Sequence, residues 1–554
     1  MRKARSRGLA CCGRREYCSR YETERISSEC LNGNKASQLV DEMNLIPQSS
    51  PTMRLLRFLL ILVGAGLSAL AQTNAPEPRQ MSLEDCIQVA LKHNMDIQIK
   101  RYSPEISQLT LKAAYGAYEP LFSISGGHSY NIQPGGLDQQ GRPYTGTETD
   151  ANYLNSSFSG LLPWGLNYKL GGTMNDQYGT RPDVLLSSRL FFENASGNIG
   201  FLQLQQPLLK NAWIDNSRLQ IYLDKKSIQS AELDVRYQIM TTITAVEVAY
   251  YDLIYGRESV EVQRRALELA QRLLAEDRKR VEVGALAPLS ESQDQAQAAS
   301  SQADLLSAES TAGTLQRVLK NLLSDDYAQW KNVAVQPTLR LIALPQQFSL
   351  SQSWQKGLSE RPDLLQQQVN LEKQGHVVQY QKNQLFPQLD LVGGYGYNAS
   401  SANLGNSLDQ FAGRDNPFWS VGGQLSIPIG NKSARYNYRS AKASEAQVAL
   451  QKKQLQQTVL IQIENAIAVA ESDYQRVQAT REARVYAEAA LDAEQKKLEN
   501  GKSTSYTVLQ MQRDLTNARG NEIQAVANYN KALAQLSLVE GSTLERHGIS
   551  VEVK

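Results

Sequence analysis

The sequence predicts a mixed α and β fold. Amphipathic strands, about four per chain or six if an inserted segment takes part, are expected to form a membrane β-barrel, and very long helices are expected to form coiled coils. Three observations support this prediction: features that recur at fixed offsets, an apolar period of about 3.5 residues in two long segments, and an apolar–polar alternation in shorter ones.

The composition excludes several classes of protein. The chain has 554 residues, 58 Lys and Arg against 56 Asp and Glu, and 41% hydrophobic residues. These values fit neither a disordered polyelectrolyte nor a polytopic helical membrane protein, and the balanced charge argues against nucleic-acid binding. The four histidines are scattered, and the sequence has no metal-ligand spacing, Gly-rich phosphate loop or serine elbow. The sequence therefore predicts no enzyme, no cofactor and no metal site.

The N-terminal region has the features of an export signal. Arg54 and Arg57 precede the apolar run Phe58–Leu70, which ends in small residues, as in a cleavable secretory signal peptide. Residues 53–71 are therefore interpreted as the signal. Residues 1–52 are interpreted as an untranslated or disordered extension, and the alternative is a genuine cytoplasmic or regulatory segment.

Two halves of the chain share one order of features, which predicts an internal repeat. Asn94–Ile97 corresponds to Arg361–Leu364 at an offset of 267, whereas Pro207 corresponds to Pro428 at an offset of 221. The first half therefore carries 46 additional residues, placed roughly between residues 128 and 196. The predicted divisions are a first repeat at 72–345, a second repeat at 346–540 and a C-terminal tail at 541–554.

Each half is predicted to contain a long helix followed by a return helix. Small or apolar residues recur at spacings of three and four between residues 228 and 260, and no proline occurs from Trp213 to Ala287. Gly284 and Gly501 follow the two periodic segments, and glycine in the left-handed conformation commonly ends a helix. The predicted bounds are about 215–283 and 433–500 for the long helices, with return helices from about 289 and 505.

The strands are expected within about 121–206 and 388–427. From Trp419 to Ile427, alternate residues are mostly apolar and the residues between them are small and polar, so one face suits lipid and the other water. One face of a soluble sandwich is the alternative, but surrounding aromatic residues favour a membrane interface. The polar stretches Gln133–Asp150 and Asn398–Asn416 are predicted to be exposed loops.

The strand number predicts an assembly. Two strands per half give four per chain, and a hairpin turning at Pro163–Gly165 within the insertion would raise the number to six. Neither number closes a barrel, because the smallest membrane barrels have eight strands. The chain is therefore expected to share its barrel with copies of itself, and three chains would supply 12 or 18 strands.

The sequence resembles the TolC family of outer-membrane export ducts over most of its length, from about residue 80 to 545. Met81–Asp85 resembles the opening helix of that family, and Arg361–Leu364 with Leu385–Leu389 resembles its second-half helix break and strand entry. The turns after residues 280–284 and 497–501 resemble its periplasmic hairpin tips. The resemblance implies a homotrimer in the Gram-negative outer membrane, whose barrel continues into a long periplasmic α-helical coiled-coil barrel.

The resemblance also implies a function. The family's members are passive exit ducts of tripartite efflux pumps or type I secretion systems, for small molecules or proteins. The implied partners are a periplasmic adaptor protein, an inner-membrane pump of the RND, ABC or MFS type and outer-membrane lipid, but no nucleic acid. The alternative is a structural or adhesive coiled-coil envelope protein that does not conduct.

The resemblance places two groups of site residues near the hairpin tips. The adaptor is expected to contact six tip positions: Arg280, Gly284, Leu286, Lys497, Gly501 and Ser503. An aspartate ring that narrows the tunnel in relatives corresponds here to Ser290, Thr507 and Gln510, so an acidic gate is in doubt. Glu291 and Asp294 lie near this periplasmic constriction and are interpreted as solvated surface carboxylates; the alternative is that they replace the aspartates of the ring.

Overall fold

The computed structural model describes residues 79–183 and 189–550. The predicted signal peptide and the extension before it lie outside the described residues. The helices are α1 (Leu83–His93), α2 (Met95–Tyr115), α3 (Asn216–Glu282), α4 (Pro288–Leu323), α5 (Tyr327–Trp330), α6 (Leu350–Glu360), α7 (Pro362–Asn383), α8 (Leu404–Gly413), α9 (Lys432–Glu499), α10 (Ser505–Glu540) and α11 (Thr543–Arg546). The strands are β1 (Arg79–Met81), β2 (Leu121–Gln133), β3 (Gly136–Leu137), β4 (Pro143–Tyr144), β5 (Thr147–Leu161), β6 (Asn167–Pro182), β7 (Arg189–Pro207), β8 (Val335–Pro337), β9 (Gln388–Ser401) and β10 (Pro417–Ser426).

The described chain is a mixed α and β protein and is mostly helical. Its main sheet is antiparallel and open, with six strands in the order β10-β9-β7-β6-β5-β2. Six is the larger of the two predicted strand numbers, because the hairpin β5–β6 of the insertion pairs between β2 and β7. Among the described strands, nothing pairs with the outer edges of β2 and β10.

Two long helical hairpins account for most of the helix. In the first, α3 has 67 residues and α4 has 36; in the second, α9 has 68 and α10 has 36. At about 1.5 Å per residue, α3 and α9 are each roughly 100 Å long. The hairpins pack together through α3 and α10, and the shorter α7 packs between α3 and α9. No helix in the described ranges has the length and hydrophobicity needed to span a membrane.

The largest apolar core joins the start of the described chain to the middle of α3. Ile87 and Ala90 of α1 pack with Ile243 and Val246 of α3, and all four side chains are buried. Helix α1 begins with a capping box, in which the Ser82 side chain accepts from the Asp85 backbone N–H while the Asp85 carboxylate accepts from the Ser82 backbone. This core fixes α1 and β1 against the long helix.

Replacement of Tyr250 by phenylalanine is expected to destabilise this core by about 1–3 kcal/mol, the cost of leaving a buried polar group without its partner. The Tyr250 side chain is fully buried; its hydroxyl donates to the Met81 carbonyl at 3.0 Å and accepts from the Thr338 N–H at 3.2 Å. Thermal unfolding of the purified protein measures the change. Tyr251→Phe is the matched control, and equal effects of the two substitutions would contradict this role of the Tyr250 hydroxyl.

Both predicted loops contain regular structure, so the loop interpretation is wrong in part. Within 133–150, β3 and β4 form a small hairpin and β5 already begins at Thr147. Within 398–416, α8 follows the end of β9. Asn403 caps its N-terminus, with its side chain accepting from the Asn406 N–H, and Arg414 in the left-handed conformation caps its C-terminus. The Ser407 hydroxyl donates to the Ala195 carbonyl, so contact with β7 holds this short polar helix.

Candidate functional site at the helical hairpin tips

Both long helices end in the same backbone motif. Gly284 and Gly501 have positive φ angles of 74° and 68°, which glycine adopts without steric cost. At the first tip, the Gly284 N–H donates to the Val281 carbonyl at 3.0 Å and the Ala285 N–H to the Arg280 carbonyl at 2.7 Å. This pair of bonds is a Schellman motif, and it satisfies carbonyls that the end of the helix leaves free.

The second tip repeats the motif bond for bond. The Gly501 N–H donates to the Leu498 carbonyl at 3.0 Å, and the Lys502 N–H donates to the Lys497 carbonyl at 2.8 Å. The predicted tip residues Arg280 and Lys497 therefore hold equivalent positions, each giving its carbonyl to the motif. At both glycines, an added Cβ atom would meet no atom beyond the neighbouring residues of the chain within 4 Å.

The side chains of the second tip form a local polar network around Glu494. Lys497 Nζ lies 2.8 Å from Glu494 Oε2, and the Ser503 hydroxyl donates to Glu494 Oε1. These hydrogen bonds, the one from Lys497 first, lower the pKa of the Glu494 carboxyl. Two predicted contact residues, Lys497 and Ser503, are therefore held by a third residue that sequence reasoning did not select.

The first tip differs, because an aspartate pair lies buried between its two helices. Asp277 on α3 is 0% exposed and Asp294 on α4 is 1% exposed, and their carboxyl groups face each other across the hairpin. Burial raises the pKa of Asp294 to about 7, and the negative charge of Asp277 adds to the shift. Arg280 Nη1 lies 3.5 Å from Asp277 Oδ1. The interpretation of Asp294 as a solvated carboxylate is therefore wrong.

The position of Asp294 along α4 explains its burial. Asp294, Gln297, Ser301 and Leu305 are all buried, at spacings of three and four residues, so they form a seam along the buried side of α4. The corresponding stretch of the second hairpin has an apolar cluster that contains Leu491, Val508 and Leu515. The two tips therefore share a backbone but differ in the chemistry of the seam behind it.

The remaining constriction residues lie within the first two turns of the two return helices. Glu291 is partly exposed, 3.8 Å from Arg278. The Thr507 backbone N–H donates to the Thr504 side chain that caps α10, Ser290 is partly exposed and Gln510 is exposed. A polar contact joins α4 and α10 farther from the tips: Arg513 Nε donates to Gln297 Oε1 at 2.5 Å.

Two exposed apolar residues beside Gly284 were not selected from the sequence. Val283 and Leu289 have 79% and 67% of their surface exposed, although both are apolar. They flank Leu286, which is partly exposed. Apolar residues within a polar turn were the signal that could have found them. In the described part of the chain, no group of three or more His, Cys, Asp or Glu side chains has an arrangement suited to a metal ion.

Comparison with known proteins relates this architecture to a family. Residues 354–542 match the outer membrane efflux protein family. None of the curated proteins matches the chain significantly. Among solved structures, the fold is similar to the CmeC outer membrane channel of Campylobacter jejuni, with 16% identity, a TM-score of 0.60 and coverage of 83% of this chain and 86% of that one.

Two further channels match over the same 83% of this chain. The outer membrane protein VceC of Vibrio cholerae gives 16% identity and a TM-score of 0.59, with 96% of its own chain covered. The MtrE outer membrane channel of Neisseria gonorrhoeae gives 16% identity and a TM-score of 0.55, with 89% covered. The sequence match and the shared fold together confirm that this chain resembles the TolC family of outer-membrane efflux ducts.

Proposed function

We propose that the chain is the outer-membrane exit duct of a tripartite efflux pump, a passive channel that takes its cargo from an inner-membrane pump. One observation carries the proposal: a single apolar row crosses the whole sheet. Six directly opposed residues, one from each strand, form it and are exposed by 36% to 75% in the single chain: Phe122, Phe158, Leu170, Leu202, Tyr395 and Trp419.

The opposite face of the sheet is mostly small or polar, with the adjacent rings of Phe201 and Phe418 as an exception. The neighbouring row on that face is formed by small or polar residues on five of the six strands: Ser159, Lys169, Gln203, Gly394 and Ser420. A sheet that is apolar on one side and polar on the other suits a wall with lipid outside and water inside. A duct requires this arrangement, whereas a structural stalk does not.

The edges of the chain support an assembly of identical copies. β2 and β10 are the free edges of the sheet, and α2 and α9, which adjoin them in the sequence, flank the layer α2-α3-α7-α9. Helix α2 exposes Ile99, Tyr102 and Ile106 by 61% to 67%, at spacings of three and four residues. When the β2 edge of one copy pairs with the β10 edge of the next, the contact is head-to-tail, and such contacts form a ring if the rotation between successive copies closes. The proposed ring is a homotrimer with one shared barrel and a helical tunnel below it.

The hairpin tips are the proposed docking site for a periplasmic adaptor protein. Each tip is the end of a long helix that lies farther from the sheet along the chain, and each exposes its glycine motif. The proposed location is therefore the Gram-negative outer membrane with the helices in the periplasm, reached by means of the signal at 53–71. The two halves are proposed to be internal repeats, supported by hairpins of 67 and 36 against 68 and 36 residues.

Deletion of the gene in its own host tests the proposal. Deletion is expected to raise the accumulation of antibiotics and dyes, because the path to the outside is then incomplete. Expression of the chain from Met53 is expected to return accumulation to its normal level. Normal accumulation with missing secreted proteins would indicate a type I secretion duct instead. If neither accumulation nor the secreted proteins change, the structural or adhesive alternative replaces the duct.

A further inference from the structure

The hairpin β5–β6 is built into the sheet along its full height. β5 pairs with β2 from Ser159↔Leu121 to Thr147↔Gln133, and β6 pairs with β7 from residue 167 to residue 182 with one register shift. The turn between β5 and β6 reaches the start of α3, where Gly165 lies beside Arg218. The hairpin therefore extends from the helical end of the sheet to the opposite end, rather than decorating one rim.

The hairpin also carries the same division into two faces as the other four strands. Phe158 and Leu170 are the second and third members of the apolar row, between Phe122 and Leu202. On the other face, Ser159 and Lys169 continue the polar row. A segment folded outside the membrane wall would have no reason to place its apolar residues in register with those of its neighbours.

We propose that this hairpin widens the outer-membrane exit of the duct, so that the barrel admits larger water-soluble solutes than it would without the hairpin. The inference rests on the proposed trimeric duct. Three copies of a six-stranded sheet give 18 strands, against 12 if the hairpin were absent, and barrel diameter grows roughly in proportion to strand number. The barrel is therefore about 1.5-fold wider with the hairpin than without it.

The topology provides a matched narrow variant. β2 and β7 run antiparallel to each other, since the three successive pairings β2–β5, β5–β6 and β6–β7 are all antiparallel. Removal of residues 147–182 leaves residues 134–146 and 183–188 to join the end of β2 to the start of β7. If β2 then pairs with β7, the apolar residues of both strands lie on one face of the sheet and the polar residues on the other, because Phe122 and Leu202 already belong to the same apolar row.

Polyethylene glycols of graded mass measure the width of the exit in planar bilayers. Added only on the side of the sheet, each polymer lowers the conductance if it enters the barrel, whatever the width of the distant helical tips. The full chain is expected to admit polymers about 1.5-fold larger in radius than the largest that the shortened chain admits. Equal cut-offs in two conducting channels would overturn the inference, and no conductance from either chain would instead contradict the duct itself.

A labelling experiment covers the case in which the shortened chain does not fold. Leu170→Cys and Lys169→Cys, in the chain expressed from Met53, carry an environment-sensitive fluorophore; Cys86 is fully buried and does not compete. Lipid-borne quenchers are expected to quench the label at 170 and not at 169, whereas a water-soluble quencher acts at 169. Equal access of the water-soluble quencher to both positions would place the hairpin outside the wall and overturn the inference.

Discussion

Replacement of Gly284 by tryptophan is expected to abolish export while the trimer and its membrane insertion remain intact, and Gly501→Trp is expected to do the same. A Cβ atom at either position would meet no atom beyond its chain neighbours within 4 Å, so the indole is expected to project into the space where the adaptor is proposed to dock. The positive φ of each glycine adds a local strain of about 1–2 kcal/mol, which is confined to the turn. Drug accumulation in cells measures export, and native electrophoresis of outer-membrane extracts measures the trimer.

Gly284→Asn is the matched control for this prediction. Asparagine tolerates the left-handed conformation and is much smaller than tryptophan, so it separates the backbone requirement from the bulk. Export close to normal is expected with asparagine. Unchanged export with tryptophan would refute docking at the tip, and equal loss with both residues would assign the effect to the Schellman motif alone.

Replacement of Asp294 by asparagine is expected to remove the pH dependence of the stability of the first hairpin tip. The folded tip holds a proton on Asp294 up to a pKa of about 7, whereas an unfolded aspartate loses its proton near 3.8. Between these values the folded state binds more protons, so stability present in acid is lost as the pH rises toward 7. The difference corresponds to about 4 kcal/mol as an upper bound. The side-chain amide of the introduced asparagine can donate a hydrogen bond to Asp277 at every pH. The tip of the variant is therefore expected to be more stable than the native tip at pH 8.

Hydrogen exchange of residues 278–292 in the intact protein, followed from pH 5 to pH 8 with correction for intrinsic rates, measures this opening. The native tip is expected to become less protected as the pH rises, and the Asp294→Asn tip is expected to keep its protection. Glu291→Gln is the control, since Glu291 is partly exposed and lies outside the buried pair. Protection that is independent of pH in the native protein would show that the aspartate pair does not govern the tip.

The sequence predicted the long elements well and the short or ambiguous ones poorly, for physical reasons. A period of 3.5 residues over much of a long segment, ended by a glycine such as Gly284, leaves little choice but a helix. The sequence did not decide between four and six strands, although it indicated a turn at 163–165. Apolar–polar alternation indicates that a segment is a strand, but it does not show which strands pair with it. Helix α8 was missed because ten residues held by Ser407 against β7 carry too weak a local signal.

The burial of Asp294 could not be predicted for a related reason. Helical spacing groups Asp294 with Gln297 and Ser301 on one face, but it does not say whether that face meets α3, the bore or water. Charge favours water, and tertiary packing overrode that preference. The polar seam that results was visible only once α3 and α4 were placed side by side.

The two unpaired edges of the sheet have a consequence for how the protein matures. A strand edge cannot enter hydrocarbon while its backbone N–H and C=O groups lack partners, and in water the same edge invites aberrant pairing. Within the described strands, β2 and β10 leave both edges of this chain in that condition. If the chain assembles as proposed, a lone newly exported subunit is therefore the vulnerable species, and we expect the rate of maturation to depend steeply on the concentration of subunits.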